Sequence, residues 1–155
     1  MMRLDERIIQ KHEQLSGYSC IPMAVELILK LLGRVAPDYL ELQTQWNDRR
    51  NGCFSDFDGL VEEGVKFTRR FPQVRGDAFP LEDLFATIED ELAHGKYVVV
   101  ALQVPGGWHN YVIYNQLPSG EFEAVTKGCC PEIVTDVKQQ VRDMNDTDIL
   151  TYELL

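Results

Sequence analysis

A cysteine and a histidine far apart in this 155-residue chain are of the types that together perform nucleophilic catalysis. Cys20 follows a polar, glycine-containing loop and begins a strongly apolar run. The thiolate is the nucleophile in cysteine chemistry, and a helix N-terminus or a neighbouring imidazolium lowers the thiol pKa. The sequence therefore predicts Cys20 as the nucleophile and His109 as general base and then acid. We expect the two side chains to lie within hydrogen-bond reach of each other.

The apolar run after Cys20 predicts a buried helix. From Met23 to Leu32 only Glu26 and Lys30 are charged, and a helix that is apolar on nearly every side lies in a core. The two charges stand four positions apart in the favourable order for a helix. Pro22 is tolerated in a first turn, and Gly33 is a natural stop. This helix would hold Cys20 at its N-terminus.

A predicted hairpin carries His109. Tyr97–Val104 is rich in β-branched and aromatic residues, as in a buried strand. A short turn containing Gly106 and Gly107 follows, and His109 opens a second strand. A histidine beside this turn could reach across to the N-terminus of the Cys20 helix.

These motifs together resemble those of a known family. Gln14 stands six positions before Cys20, and Pro22 and Ala24 open an apolar helix that Gly33 ends. With a later histidine opening a strand, this pattern is similar to the papain-like cysteine peptidases that process double-glycine leaders of bacteriocins, and to their stand-alone relatives. The resemblance covers about residues 14–33 and 85–127. It implies a small α+β papain-like fold, with a central buried helix packed on an antiparallel sheet.

The resemblance also implies roles for individual residues. Gln14 would donate its side-chain amide to an oxyanion hole, next to the backbone N–H of Cys20. Trp108, with Gly107, would line the substrate groove. The family usually has Asp before the cysteine and Gly after it, whereas this chain has Ser19 and Ile21.

The third catalytic residue, which would orient the imidazole of His109, is not identified by the sequence. The family places Asp or Asn at the end of the strand after the histidine strand, and here that place is taken by Thr126, with Lys127 beside it. We therefore expect a Cys20–His109 dyad held by Thr126 or by a backbone carbonyl. Asn115 and Asp136 are the next candidates.

Three functions are compatible with these residues. The first is a cysteine hydrolase, a peptidase acting on a peptide or protein tail through a thioester. The second is a glutamine deamidase or acyl transferase, which forms the same thioester but differs in the acceptor. The third is a degenerate papain-like domain that binds a peptide without cleaving it.

Length and composition bound the remaining possibilities. The chain predicts one domain over residues 1–155, and its net charge of −10 argues against nucleic acid as a default partner. No apolar run is long enough to span a bilayer. Four cysteines without a secretory signal favour a reducing cytoplasm, although export by another route stays open. The sequence contains no Cys-x-x-Cys pair, no Walker loop and no dinucleotide fingerprint, so we expect neither a metal nor a cofactor. The oligomeric state is open.

The other elements complete an α+β pattern. His12 is expected on the surface. Residues 5–14 are expected to form either a short helix or an extended arm. The other expected elements are helices beginning at Pro37, Ser55 and Pro80, a strand over Phe122–Thr126, a helix over Val134–Met144 and a closing strand over Ile149–Leu154.

Overall fold

The computed structural model describes residues 4–15, 20–47, 57–71, 79–105, 107–128 and 131–155. Within them the chain is an α+β fold of helices packed on one antiparallel sheet, as the sequence predicts. The helices are α1 (Glu6–Lys11), α2 (Cys20–Leu31), α3 (Glu41–Asn47), α4 (Leu81–Ala93) and α5 (Val137–Met144).

The sheet holds seven strands in the described part of the chain, in the order β1-β2-β7-β3-β4-β5-β6. All neighbouring pairs are antiparallel. The strand β7 lies inside the sheet, between β2 and β3, so it joins the β1–β2 hairpin to the strands that follow β3. The strands are β1 (Val61–Glu62), β2 (Val65–Arg69), β3 (Val98–Val104), β4 (Gly107–Gln116), β5 (Phe122–Val125), β6 (Ile133–Val134) and β7 (Ile149–Leu154).

The predicted buried helix is confirmed as α2. Its residues from Ile21 to Lys30 are all buried, because neighbouring elements cover its apolar residues as well as Glu26 and Lys30. Gly33 ends it with a left-handed φ of 72°, and the N–H of Arg34 bonds back to the carbonyl of Leu29. This is a C-terminal cap of the kind that favours glycine.

The sheet is covered on both faces, and β4 shows how. Val112 belongs to the core that contains α2, whereas Tyr111 and Ile113 belong to the core that contains α4 and α5. Side chains alternate between the faces of a strand, so each position of β4 is assigned to one of these two layers. We call them the α2 face and the α4/α5 face.

One predicted helix is wrong over its second half. Phe57 is helical, but the segment from Val61 to Arg69 forms the β1–β2 hairpin, where the expected helix included Val61 and Val65. Glu63 and Gly64 both adopt positive φ, 51° and 75°, which makes the tight turn. The strand β2 then pairs with β7 over five residues, so long-range pairing decides its structure.

Most other elements appear close to their predicted places. The hairpin of β3 and β4, the closing strand β7 and the helix after Pro80 are confirmed. The helix expected from Pro37 begins only at Glu41, since a turn occupies residues 37–38. No helix among the described residues is long and apolar enough to cross a membrane.

Candidate functional site

Cys20 is the first residue of α2 and is half-buried. Its described side-chain partner is Asn110 on β4, whose Nδ2 donates a hydrogen bond to Sγ over 3.2 Å. Asn110 itself is only 3% exposed. The buried helix and the central hairpin therefore do bring a polar side chain to the sulfur, but it is not the predicted one.

Strand alternation explains why Asn110 takes this place. Asn110 pairs with Ala101, which packs against the α2 core, and it lies two residues before Val112 of the same core. His109 pairs with Leu102 of the opposite core. Its ring meets the ring of Tyr111 edge-on, with centroids 5.7 Å apart. Adjacent residues of one strand thus face opposite layers, and in the described part of the chain no hydrogen bond joins Cys20 to His109. The predicted contact between Cys20 and His109 is therefore replaced by a hydrogen bond from Asn110 to Cys20 and one from His109 to the carbonyl of Lys127.

The imidazole of His109 is held by a backbone carbonyl. Its Nε2 lies 2.8 Å from the carbonyl oxygen of Lys127. Because a carbonyl can only accept, Nε2 carries the proton and the neutral ring keeps its lone pair on Nδ1. Burial lowers the pKa of His109, and the bond to Lys127 raises it by less. The ring is therefore neutral at pH 7, with one of the two predicted kinds of support.

The thiol of Cys20 is not activated in this arrangement. Burial raises the pKa of Cys20, while the hydrogen bonds from Asn110 and from the backbone N–H of Ile21 lower it by less. Among the residues that the structure describes, the side chain bonded to the sulfur is the neutral carboxamide of Asn110 and not an imidazolium. The expected lowering of the thiol pKa at the helix N-terminus is thus outweighed by desolvation, and the group is protonated at neutral pH.

Thr126 supports the backbone of β4 and not the imidazole. Its hydroxyl donates to the carbonyl oxygen of Asn110 over 2.7 Å, and the residue is completely buried. Its N–H donates to the carbonyl of Glu132. The prediction that the Thr126 side chain accepts the His109 ring N–H is wrong, because its hydroxyl is turned to the strand that carries Asn110.

The side chains of Gln14 and His109 both lie close to Gly128. A Cβ atom added to Gly128 would lie 2.6 Å from Oε1 of Gln14 and 3.3 Å from Cε1 of His109. Gly128 has a φ of 114°, a conformation that L side chains rarely adopt. The structure therefore brings together two of the predicted site residues around a glycine. We call Gln14, His109 and Gly128 the Gly128 corner.

The two predicted substrate-binding residues lie at the start of β4. Trp108 is 47% exposed, and by strand alternation it shares the α2 face with Asn110. Gly107 is exposed, with a φ of 139° at the turn from β3. Their contact with a substrate remains a prediction.

The next candidates for the third residue have other partners. Asn115 donates through Nδ2 to Glu123 over 2.8 Å. Asp136 lies at the start of α5, where Oδ1 accepts from Nε2 of Gln140. Their contacts hold a strand pair and a helix start, not the His109 ring.

Sequence reasoning missed five polar residues around the site. Asn110 is the most important, and strand periodicity alone could not find it, because Tyr111 to Tyr114 are buried on both faces. His12 was expected on the surface but is 1% exposed, because Lys30 and the carbonyl of Met23 bind its ring. The five missed residues are His12, Glu26, Lys30, Gln43 and Asn110.

Among the described residues, no group of three or more His, Cys, Asp or Glu side chains could hold a metal ion. Cys53, Cys129 and Cys130 lie outside the described residues. No protein-family model matches the chain, and no curated protein matches it.

Proposed function

We propose that this chain is a papain-like domain in which Cys20 has Asn110, and no base among the described residues, beside its sulfur, and that it binds a peptide or protein segment without cleaving it. The observation that carries the proposal is the hydrogen bond from Asn110 Nδ2 to Cys20 Sγ over 3.2 Å. This is the place where a cysteine hydrolase needs an imidazole.

Asn110 cannot do the work of that imidazole. A general base must accept the thiol proton and later return it to the leaving group. The carboxamide nitrogen is a donor, and the carboxamide oxygen is not basic in water. With the pKa of Cys20 raised by burial, little thiolate exists at pH 7. Attack on an amide carbonyl would therefore be slow.

The same groups are suited to holding a peptide. The first turn of a helix presents backbone N–H groups without intrahelical partners, which can donate to a peptide carbonyl. Cys20 opens such a turn in α2, where the N–H of Ile21 is directed at the Cys20 sulfur. Trp108 is an exposed ring on the α2 face of β4, where it offers apolar contact area to a ligand side chain.

The experiment compares two neighbouring substitutions. Asn110→His places an imidazole next to the sulfur, and we expect the thiol pKa of Cys20 to fall. Each unit of that fall raises the thiolate fraction about tenfold while the thiol is mostly protonated. His109→Gln removes the native imidazole and should leave Cys20 unchanged. The measurement is the pH profile of alkylation by limiting iodoacetamide, with peptide mapping to separate Cys20 from the other thiols.

A second candidate function is the cysteine hydrolase with His109 as its base. The observation in its favour is the Gly128 corner, where His109 and Gln14 both lie close to Gly128. If it is correct, wild-type Cys20 is alkylated rapidly at pH 6–7 and His109→Gln abolishes that reactivity. This result would overturn the non-cleaving proposal. The deamidase and transferase alternatives share this outcome and differ only in the acceptor that releases the thioester.

A further inference from the structure

The segment that carries Gln14 is tied to α3 by one buried glutamine. Gln43 is completely buried. Its Oε1 accepts the backbone N–H of Leu15, and its Nε2 donates to the backbone carbonyl of Glu13, both over 2.8 Å. The single carboxamide of Gln43 thus forms hydrogen bonds with the main chain on both sides of Gln14, as a neighbouring strand would.

Glu26 of α2 holds that carboxamide in place. Its Oε1 accepts from Nε2 of Gln43 over 2.7 Å, and its Oε2 accepts from the backbone N–H of Gln43 over 3.1 Å. Both Nε2 hydrogens and Oε1 of Gln43 are therefore engaged. The side chain of Glu26 is itself fully buried, so the orientation of Gln43 is set by a carboxyl group that has no access to water.

A second buried pair fixes the residue two positions before Gln14. The His12 ring lies 2.9 Å from the carbonyl of Met23 and 2.8 Å from Nζ of Lys30. Lys30 is 1% exposed. Lys30 of α2 thus binds His12 directly, and Glu26 of α2 binds Gln43, which in turn binds the main chain on both sides of Gln14. Both contacts hold the segment before Cys20 against α2.

We infer that Gln43, oriented by Glu26, is a positioning residue for Gln14 and sets its carboxamide in the Gly128 corner. Buried ionised groups are costly unless they are well paired, and apolar packing would hold α3 to α2 without them. The main-chain groups that the Gln43 carboxamide binds belong to the two peptide units that flank Gln14. These hydrogen bonds therefore fix the direction in which the Gln14 side chain leaves the main chain. The inference rests on the proposed function only in taking the Gly128 corner as part of the ligand site.

The test removes the side-chain hydrogen bonds of Gln43 without leaving a cavity in the core. Gln43→Leu keeps the volume and deletes the three side-chain hydrogen bonds. The matched control is Gln45→Leu, two positions along α3 on an exposed residue. Amide hydrogen exchange of Leu15 and the side-chain ¹H–¹⁵N signal of Gln14 are measured on the full chain without a ligand. We expect exchange at Leu15 to accelerate about tenfold or more, as loss of one hydrogen bond implies, and the Gln14 signal to shift or broaden.

The control should change neither signal. Should Gln43→Leu fail to fold, Gln43→Met deletes the same three hydrogen bonds with an unbranched side chain of similar shape, and we expect the Gln14 signal to move in that variant as well. An unchanged Gln14 signal in a folded Gln43 variant overturns the inference. This outcome is separate from the proposed function, whose failure appears in the alkylation profile of Cys20.

Discussion

The buried His12 should make the fold sensitive to acid. Its pKa is lowered to about 3, first by burial and then by the charge of Lys30. In the unfolded chain a histidine titrates near 6.5. Between these two values the unfolded state binds a proton that the folded state does not. Unfolding is therefore favoured as the pH falls below about 6.5, and the stability is fully present only above it.

The size of the effect follows from that window. Each pH unit between the two pKa values costs about 1.4 kcal/mol of unfolding free energy. From pH 6.5 to pH 5 the loss due to His12 is about 2 kcal/mol, a large part of the stability of an ordinary domain. His109, whose pKa is also lowered by burial, adds a loss of the same sign. Glu26, whose pKa burial raises, opposes it, because its folded form takes up a proton first.

The assay isolates His12 by difference. Urea unfolding at pH 7.5 and pH 5.0 gives the free energy of unfolding of the wild type and of His12→Gln, which cannot titrate. We expect the wild type to lose about 2 kcal/mol more than the variant between the two pH values. The control His94→Gln removes an imidazole that is 67% exposed and should follow the wild type. Equal losses in the wild type and in His12→Gln would refute the reasoning.

Two further predictions concern the support of the site. Gly128→Ala should destabilise the fold by about 1–3 kcal/mol through its backbone conformation and displace Gln14, whereas Gly33→Ala, with a φ of 72° and nothing within 4 Å, should cost about 1 kcal/mol. Thermal unfolding of both variants and the Gln14 side-chain signal check this, and a Gly128→Ala protein with native Gln14 contradicts it. Thr126→Val should cost about 1–2 kcal/mol by leaving the Asn110 carbonyl without its hydroxyl donor. Thr126→Ser should keep most of that stability, and equal urea midpoints for the two variants would count against the assigned role.

Local chemistry in the sequence determined the main elements. The apolar run from Met23 to Leu32, with Pro22 before it and Gly33 after it, specifies a buried helix wherever the rest of the chain lies. The β-branched residues before the turn at Gly107 likewise specify the β3–β4 hairpin. These signals are local because helix and hairpin formation depend on neighbouring residues and on turn chemistry.

The faces of the strands were decided only by the tertiary structure. Tyr111, Val112, Ile113 and Tyr114 are all buried, so the sequence of β4 has no polar side to tell one face from the other. A shift of one residue moves every side chain to the opposite face. The packing of α2 and α4 on the two sides of the sheet is therefore what turns Asn110 to Cys20 and His109 away from it.

The partners of the buried charges also depend on long-range packing. The sequence suggested that Glu26 and Lys30 support each other along α2, but they bind Gln43 and His12, which arrive from other segments of the chain. The same is true of the segment after Ser55, where local pattern favoured a helix up to about Gly64. From Val61 the chain instead forms a hairpin whose strand β2 pairs with β7 from about eighty positions away. Contacts of this kind are fixed by which elements meet in the core, and no local pattern of residue types encodes them.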